Sequence, residues 1–315
     1  MNRKAIIFGI KSTKLSIKEK KFFKKTKPWG IILFSRNVES ISQLQNLTNQ
    51  IKSIFNDKKY PILIDQEGGS VCRLNKIIDL SLFSSDYFGK LFKKDKKLFS
   101  NYYKIYIDAL SEIFKKTGIN INTVPVLDVR TAFGHKIIGN RSFSSNPYTV
   151  SKLGKTMINL FNRNSVGTVI KHIPGHGKAL KDSHSELSIV NTKRKELKKK
   201  DFLPFKLSNS FFAMTAHIIY KSYDSINAAT HSKKIIDEVI RSHIGFKGIL
   251  ISDDISMKAL KFDIKTNSIK ALKAGCNLIL HCNGKIDEMN ELSKIIPKID
   301  NFTQKKTSDF YKFLG

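Results

Sequence analysis

Short apolar runs, each followed by a longer lysine-studded segment, recur along the whole chain. They are AIIFGI at 5–10, GIILF at 30–34, PILIDQ at 61–66, INTVPV at 121–126, GTVIKHI at 167–173, AMTAHI at 213–218, GILISDD at 248–254 and CNLILHC at 276–282. These runs do not alternate polar with apolar residues, so they predict strands buried on both faces, the condition of a parallel sheet. The stretches between them are amphipathic with helical spacing. In KKLFSNYYKIYIDALSEIFKKTG the closing Gly118 suits a helix C-terminal cap. Eight strand-then-helix units predict a single-domain (β/α)8 TIM barrel spanning 1–315, with no Pro-, Gly- or Ser-rich linker to divide it. A doubly wound sheet is the alternative, but no GxGxxG follows a strand and opens a helix.

A parallel barrel assembles its chemistry at the carboxyl ends of its strands. Ionisable residues stand there in the expected runs. Asp65 ends the third and Asp128 follows the fourth; Lys171 and His172 end the fifth, His217 the sixth, and Asp253 with Asp254 the seventh. Regular strand geometry sends neighbouring side chains to opposite faces, so only one of Asp253 and Asp254 is expected in the pocket. That one is a candidate nucleophile; the other is expected to cap the following helix, and capping is also the structural alternative for both.

Composition changes this picture little. The formal charge of +30 would by itself point to nucleic acid or an anionic membrane. Of the 56 basic residues, however, only 8 are arginine, and the lysines lie in runs such as KEKKFFKK and KRKELKKK that read as solvated helix faces. No specific nucleic-acid partner is therefore expected. Cys72, Cys276 and Cys282 form no CxxC pair, which fits a reducing compartment. The opening MNRKAIIFGIKSTKLS has too short an apolar run for a signal core or a membrane anchor, so a cytoplasmic location is expected.

The densest chemistry is KHIPGHGKALKDSH at 171–184, which holds three of the eight histidines. His172 and His176 are four apart, a spacing that would place both on one helix face for a metal, but Pro174, Gly175 and Gly177 make a helix there implausible. A metal-dependent hydrolase using His172, His176 and His184 remains an alternative. Asp182 and His184 offer a second use, a carboxylate that orients an imidazole for proton transfer near neutral pH. An Asx-capped turn explains the same Asp-Ser-His triplet equally well.

Taken together, ILIDQEGGSVCRL (62–74), GNRSFSSNP (139–147), KHIPGHGKALKDSH, MTAHIIY (214–220) and ISDDISMKAL resemble glycoside hydrolase family 3, in its cytoplasmic β-N-acetylglucosaminidase branch. GIILFSRN (30–37) and ALKAGCNLILHCN (271–283) extend the resemblance over residues 5–285. It implies a retaining β-N-acetylhexosaminidase with Asp253 as nucleophile, His184 as acid/base and Asp182 as its orienting partner. It also implies sugar recognition by Asp65, Arg73, Arg141, Lys171 and His172, with His176 structural and His217 either lining the pocket or packed at its rim. No cofactor and no metal are implied. The implied substrate is a peptidoglycan-derived disaccharide or muropeptide, N-acetylglucosaminyl-anhydro-N-acetylmuramic acid with or without its peptide. Phosphorolysis is a neighbouring reaction, and a basic barrel that binds anions without turnover is an alternative of another class. The family usually has arginine where Ser70 stands, a change expected to loosen an ion pair beneath the site. Lys178 and Asn277 stand where aspartate is common.

Overall fold

The structure, a computed structural model, describes residues 2–131, 138–179 and 187–315. Eight parallel strands close into a barrel: β1 (Lys4–Gly9), β2 (Pro28–Leu33), β3 (Ile62–Ile64), β4 (Ile121–Asn122), β5 (Gly167–Ile173), β7 (Phe212–Thr215), β9 (Ile249–Asp254) and β10 (Leu278–His281). β10 pairs with β1 to complete the ring, as the eight apolar runs predicted. Two short strands, β6 (Ser188–Val190) and β8 (Ile218–Tyr220), pair in parallel as a separate ribbon. The predicted sixth run therefore divides into β7 and β8, with Ala216 and His217 between them.

Strands β1 to β5 and β7 are buried almost throughout, which is why their sequences show no polar alternation. The fourth run keeps only two residues in the ladder. Pro125 has no N–H to give, and the chain beyond Asn122 leaves regular pairing. The surrounding helices begin and end where their caps dictate. The helix Lys96–Thr117 starts on the Asp95 carboxylate and stops at Gly118, whose φ of 73° is left-handed and needs a glycine. Ser16 and Glu19 form a reciprocal capping box on Ile17–Thr26.

Two irregularities in register shape the carboxyl rim of the barrel. Between the pairs Ile170↔Ala213 and Ile173↔Thr215, β5 advances three residues while β7 advances two. Between Leu278↔Ile251 and Leu280↔Asp254, β9 advances three while β10 advances two. Each is an extra residue in one strand, a bulge that breaks the two-residue alternation of side chains.

Candidate active site

A cavity of about 230 Å³ opens at the carboxyl ends of the strands. It is lined by Asp65, Arg73, Arg141, Lys171, His172 and Asp253, joined by Thr123, His176, Asp254 and the apolar side chains Phe34, Met214 and Met257. The bulges explain the two adjacent pairs. Lys171 with His172, and Asp253 with Asp254, each reach the cavity from consecutive positions, which regular strands forbid. The expectation that only one of Asp253 and Asp254 would reach the pocket is thus corrected. So is the capping role, because the Asp254 carboxylate accepts from the Ser256 N–H at 3.1 Å and its hydroxyl at 2.8 Å, a local turn, whereas Asp263 caps the next helix, Ile264–Ala274.

One side of the cavity is a chain of ion pairs. Lys171, the one buried lysine among the described residues, places Nζ against the Asp65 carboxylate and 2.6 Å from Glu67 Oε1. Arg73 meets the other Asp65 oxygen at 2.8 Å, and the Thr123 hydroxyl donates to the first at 2.6 Å. Arg141 grips Glu67 with both arms at 2.7 and 2.8 Å. Burial alone would raise the Asp65 carboxyl, but Lys171 and Arg73 outweigh it and hold the group far below the usual range. Burial likewise opposes the Glu67 charge, and Arg141 with Lys171 brings its pKa down. Three cations against two carboxylates leave one positive charge of excess in a polar wall whose members stay ionised.

The second side is organised by Asp128, which has no exposed surface. Its Oδ2 accepts from His172 Nδ1 at 2.7 Å, and its Oδ1 accepts the backbone N–H of His176 at 2.6 Å and of His172 at 3.2 Å. A carboxylate can only accept, so Nδ1 carries the proton and Nε2 is the nitrogen His172 has to offer elsewhere. The rings of His172 and His176 meet edge to face at 5.5 Å. Burial, helped by His172, lowers the His176 pKa to about 4, so the ring is neutral near pH 7. His176 thus lines the cavity as well as anchoring its loop. At the end of β9, Asp253 Oδ1 accepts the Asp254 N–H at 2.8 Å.

Of the residues singled out from the sequence, Asp65, Arg73, Arg141, Lys171, His172 and Asp253 are brought together here. Asp182 and His184 lie outside the described residues. His217 is fully buried and is not on the cavity wall; its ring bonds to Thr230 and to the Asp254 carbonyl. Ser70 is exposed and donates to Asn140 at 3.0 Å, and the ion pairs beneath the cavity are closed without it. Lys178 pairs with Glu196, and Asn277 accepts from Arg241 and from the Leu250 N–H, both at 2.8 Å. Glu67 is the functional neighbour that the sequence reading missed. Its presence in IDQEGG two residues after Asp65 was the available signal, but only the fold shows that it shares Lys171. The described residues contain no group of three His, Cys, Asp or Glu placed to hold a metal ion.

A closed parallel barrel whose carboxyl rim gathers carboxylates, guanidinium groups and imidazoles around a small polar cavity has the make-up of an enzyme acting on a hydroxyl-rich ring. The chain belongs to glycosyl hydrolase family 3, whose N-terminal domain matches residues 5–309. It is a β-N-acetylhexosaminidase of that family. It is 35% identical over 295 residues to a beta-hexosaminidase of Hydrogenovibrio crunogenus, covering 92% of this chain and 82% of that one. A beta-hexosaminidase of Nitrosomonas eutropha is 33% identical, with 84% and 76% covered. Among solved structures, NagZ from Neisseria gonorrhoeae in complex with N-trifluoroacetyl-D-glucosamine superposes with a TM-score of 0.87 at 28% identity, covering 100% of this chain and 90% of that one. The glycoside hydrolase family 3 β-N-acetylglucosaminidase from Paenibacillus sp. str. FPU-7 gives 0.87 at 25% identity, covering 98% and 60%.

Proposed function

We propose that the protein removes terminal β-1,4-linked N-acetylglucosamine from peptidoglycan fragments by double displacement, with Asp253 as the nucleophile. The Asp253 carboxylate attacks the anomeric carbon, the glycosidic bond breaks, and His184, oriented by Asp182, gives its proton to the departing oxygen. Water then loses a proton to His184 and attacks the same carbon, releasing the sugar with retained configuration. Asp65, Arg73, Arg141, Lys171 and His172 hold the sugar hydroxyls and the acetamido group. The observation that carries this reading is the position of Asp253 at the end of β9, lining the same small cavity as the ion-paired wall and the Asp128-held ring of His172. The amino-sugar preference draws support from the N-trifluoroacetyl-D-glucosamine complex of the gonococcal relative. The anionic disaccharide or muropeptide aglycone draws support from the +30 charge of the chain. A cytoplasmic site of action and a single catalytic domain over 1–315 belong to the same reading. No helix among the described residues is long and apolar enough to cross a membrane.

The test is release of nitrophenol from p-nitrophenyl N-acetyl-β-glucosaminide, with and without EDTA, beside Asp253→Ala and His184→Ala, followed by hydrolysis of N-acetylglucosaminyl-anhydro-N-acetylmuramic acid. Activity is expected to survive EDTA and to vanish in folded Asp253→Ala. His184→Ala is expected to slow the natural disaccharide by about 10² to 10⁴-fold and the activated aryl glycoside far less. Near-normal turnover by Asp253→Ala removes the nucleophile assignment. Loss to EDTA would favour the metal alternative.

A further inference from the structure

His217 sits off the cavity wall, with no exposed surface, yet it is bonded to the backbone that follows Asp253. Its Nε2 lies 3.0 Å from the Asp254 carbonyl, which can only accept, so Nε2 carries a proton. Its Nδ1 lies 2.7 Å from the Thr230 hydroxyl, which is in turn 2.8 Å from the Thr215 hydroxyl and 3.2 Å from the Ala216 carbonyl. In the neutral ring Thr230 donates to Nδ1 and accepts from Thr215, so both ring nitrogens are engaged in a buried chain. A buried imidazole is retained at a desolvation cost that an aliphatic side chain would not carry. What it supplies in return is direction.

That direction is needed because of the bulge in β9. Where the extra residue enters, between Ile251 and Asp254, the ladder with β10 is interrupted, and it resumes only at Asp254, which pairs with Leu280 as the Ile255 N–H donates to the Leu280 carbonyl at 3.0 Å. Asp254 is held in addition by side chains and by local contacts. Its carbonyl accepts from His217, and its carboxylate from Ser256 and from the Cys282 N–H at 3.3 Å. Its own N–H reaches Asp253 Oδ1 at 2.8 Å. The chain Thr215, Thr230, His217, Asp254 therefore ends on the carboxylate of Asp253.

We propose that His217 is a positioning residue for catalysis: through the Asp254 backbone, whose carbonyl it holds and whose N–H meets Asp253, it sets where the Asp253 carboxylate stands relative to the anomeric carbon. The inference rests on Asp253 being the nucleophile, and the experiment separates the two. The probe is 2-acetamido-2-deoxy-5-fluoro-β-glucosyl fluoride, which loses fluoride to an enzyme carboxylate and leaves a slowly hydrolysed glycosyl ester that peptide mass spectrometry locates. Labelling rates, kcat and KM are measured for the wild type, His217→Leu, His217→Gln and Thr230→Val. Thr307→Val, which removes the 2.9 Å partner of the buried Trp29 N–H, reports the effect of lost stability alone. Glutamine can place an amide N–H where Nε2 stood, whereas leucine cannot.

His217→Leu is expected to lose about 100-fold in kcat and in labelling rate, the effect of a carboxylate misplaced by about 1 Å, with KM changed less than about threefold. His217→Gln is expected to recover at least about tenfold of that loss at a similar melting temperature. If His217→Leu does not fold, Thr230→Val, which keeps the ring but removes its Nδ1 partner, is expected to lower kcat about tenfold and leave KM in place. Wild-type labelling rates in a folded His217→Leu, or in Thr230→Val where leucine does not fold, overturn the inference. Rate losses that Thr307→Val reproduces at equal melting temperature overturn it too. Wild-type protein labelled elsewhere than Asp253, or not at all, overturns the nucleophile assignment and the positioning role with it.

Discussion

Glu67→Gln is a direct test of whether the ion-pair wall is a stability element. The Glu67 side chain is 2% exposed, Lys171 is 2% and Arg141 10%, so water cannot replace the carboxylate when it is removed. In the variant Arg141 retains a neutral oxygen to donate to, but Lys171 loses one of two counter-charges and the cluster's excess rises by a full positive charge. Breaking a buried pair by removing one partner costs about 3–5 kcal/mol, and the retained amide oxygen places this change near the lower figure. For a chain of 315 residues the unfolding entropy is about 0.7 kcal/mol per degree, so the melting temperature should fall by about 4–5 °C. Thermal unfolding followed by circular dichroism measures this at pH 7, in low salt and in 0.5 M NaCl, where a buried pair should give the same difference. The pH dependence has a defined sign. The folded pKa of Glu67 is lowered, so its contribution is complete above the unfolded value of about 4.3 and is lost as pH falls through the folded value. The gap between wild type and variant should therefore be constant from pH 7 to about pH 5 and narrow in stronger acid. A shift below about 1 °C at pH 7, or a gap that widens on acidification, would refute the reasoning.

Two further predictions concern buried positions outside the ion-pair wall. Asp201 is 2% exposed, and burial raises its carboxyl from 3.8 to about 7, only partly offset by Lys178 Nζ at 3.8 Å. The folded chain thus holds a proton that the unfolded chain has released between those values, and stability is lost as pH rises through them. Asp201→Asn should raise the melting temperature at pH 8 and leave it unchanged at pH 4; equal values at pH 8 would show that the carboxyl is not disfavoured. A Cβ added to Gly177 would stand 1.8 Å from the Val129 carbonyl oxygen, and the Thr131 hydroxyl already holds the Gly177 carbonyl at 2.9 Å. Gly177→Ala should force the His176 segment from Asp128, costing about 1–3 kcal/mol and at least tenfold in kcat/KM. Wild-type melting and kinetics in that variant would mean the two loops part without consequence.

The eight barrel strands were legible because a strand buried on both faces must be apolar throughout, a local property of sequence. The cap at Gly118 was legible for a similar reason. β6 was not, since Ser188–Val190 is too short to stand out and exists only by pairing with Ile218–Tyr220. The cavity residues at strand ends, Asp65, Lys171, His172 and Asp253, could be named because the fold dictates where chemistry collects. Their partnerships could not. Glu67 and Asp128 work through residues far along the chain, and nothing near Glu67 announces Lys171. The joint placement of Asp253 and Asp254 was misread because alternation is a rule for paired strands, and the pairing that suspends it involves Leu278 and Leu280 on another strand. His217 was visible as a strand-end histidine, but its partner is a carbonyl, which leaves no mark in the side-chain sequence.

The two bulges also bear on how such a site can change over time. A substitution alters what a position carries, whereas an inserted residue alters how many neighbouring positions look inward. With one extra residue each, β5 and β9 present doublets, Lys171 with His172 and Asp253 with Asp254, where a regular strand presents singlets. Deleting one residue from either strand would restore the regular period and turn half of a doublet outward without changing any side chain. The placement of the rim residues therefore depends on strand length as well as on side-chain identity, and is exposed to single-codon loss. Relatives that differ in length at these two places should differ in chemistry even where the remaining motif letters agree.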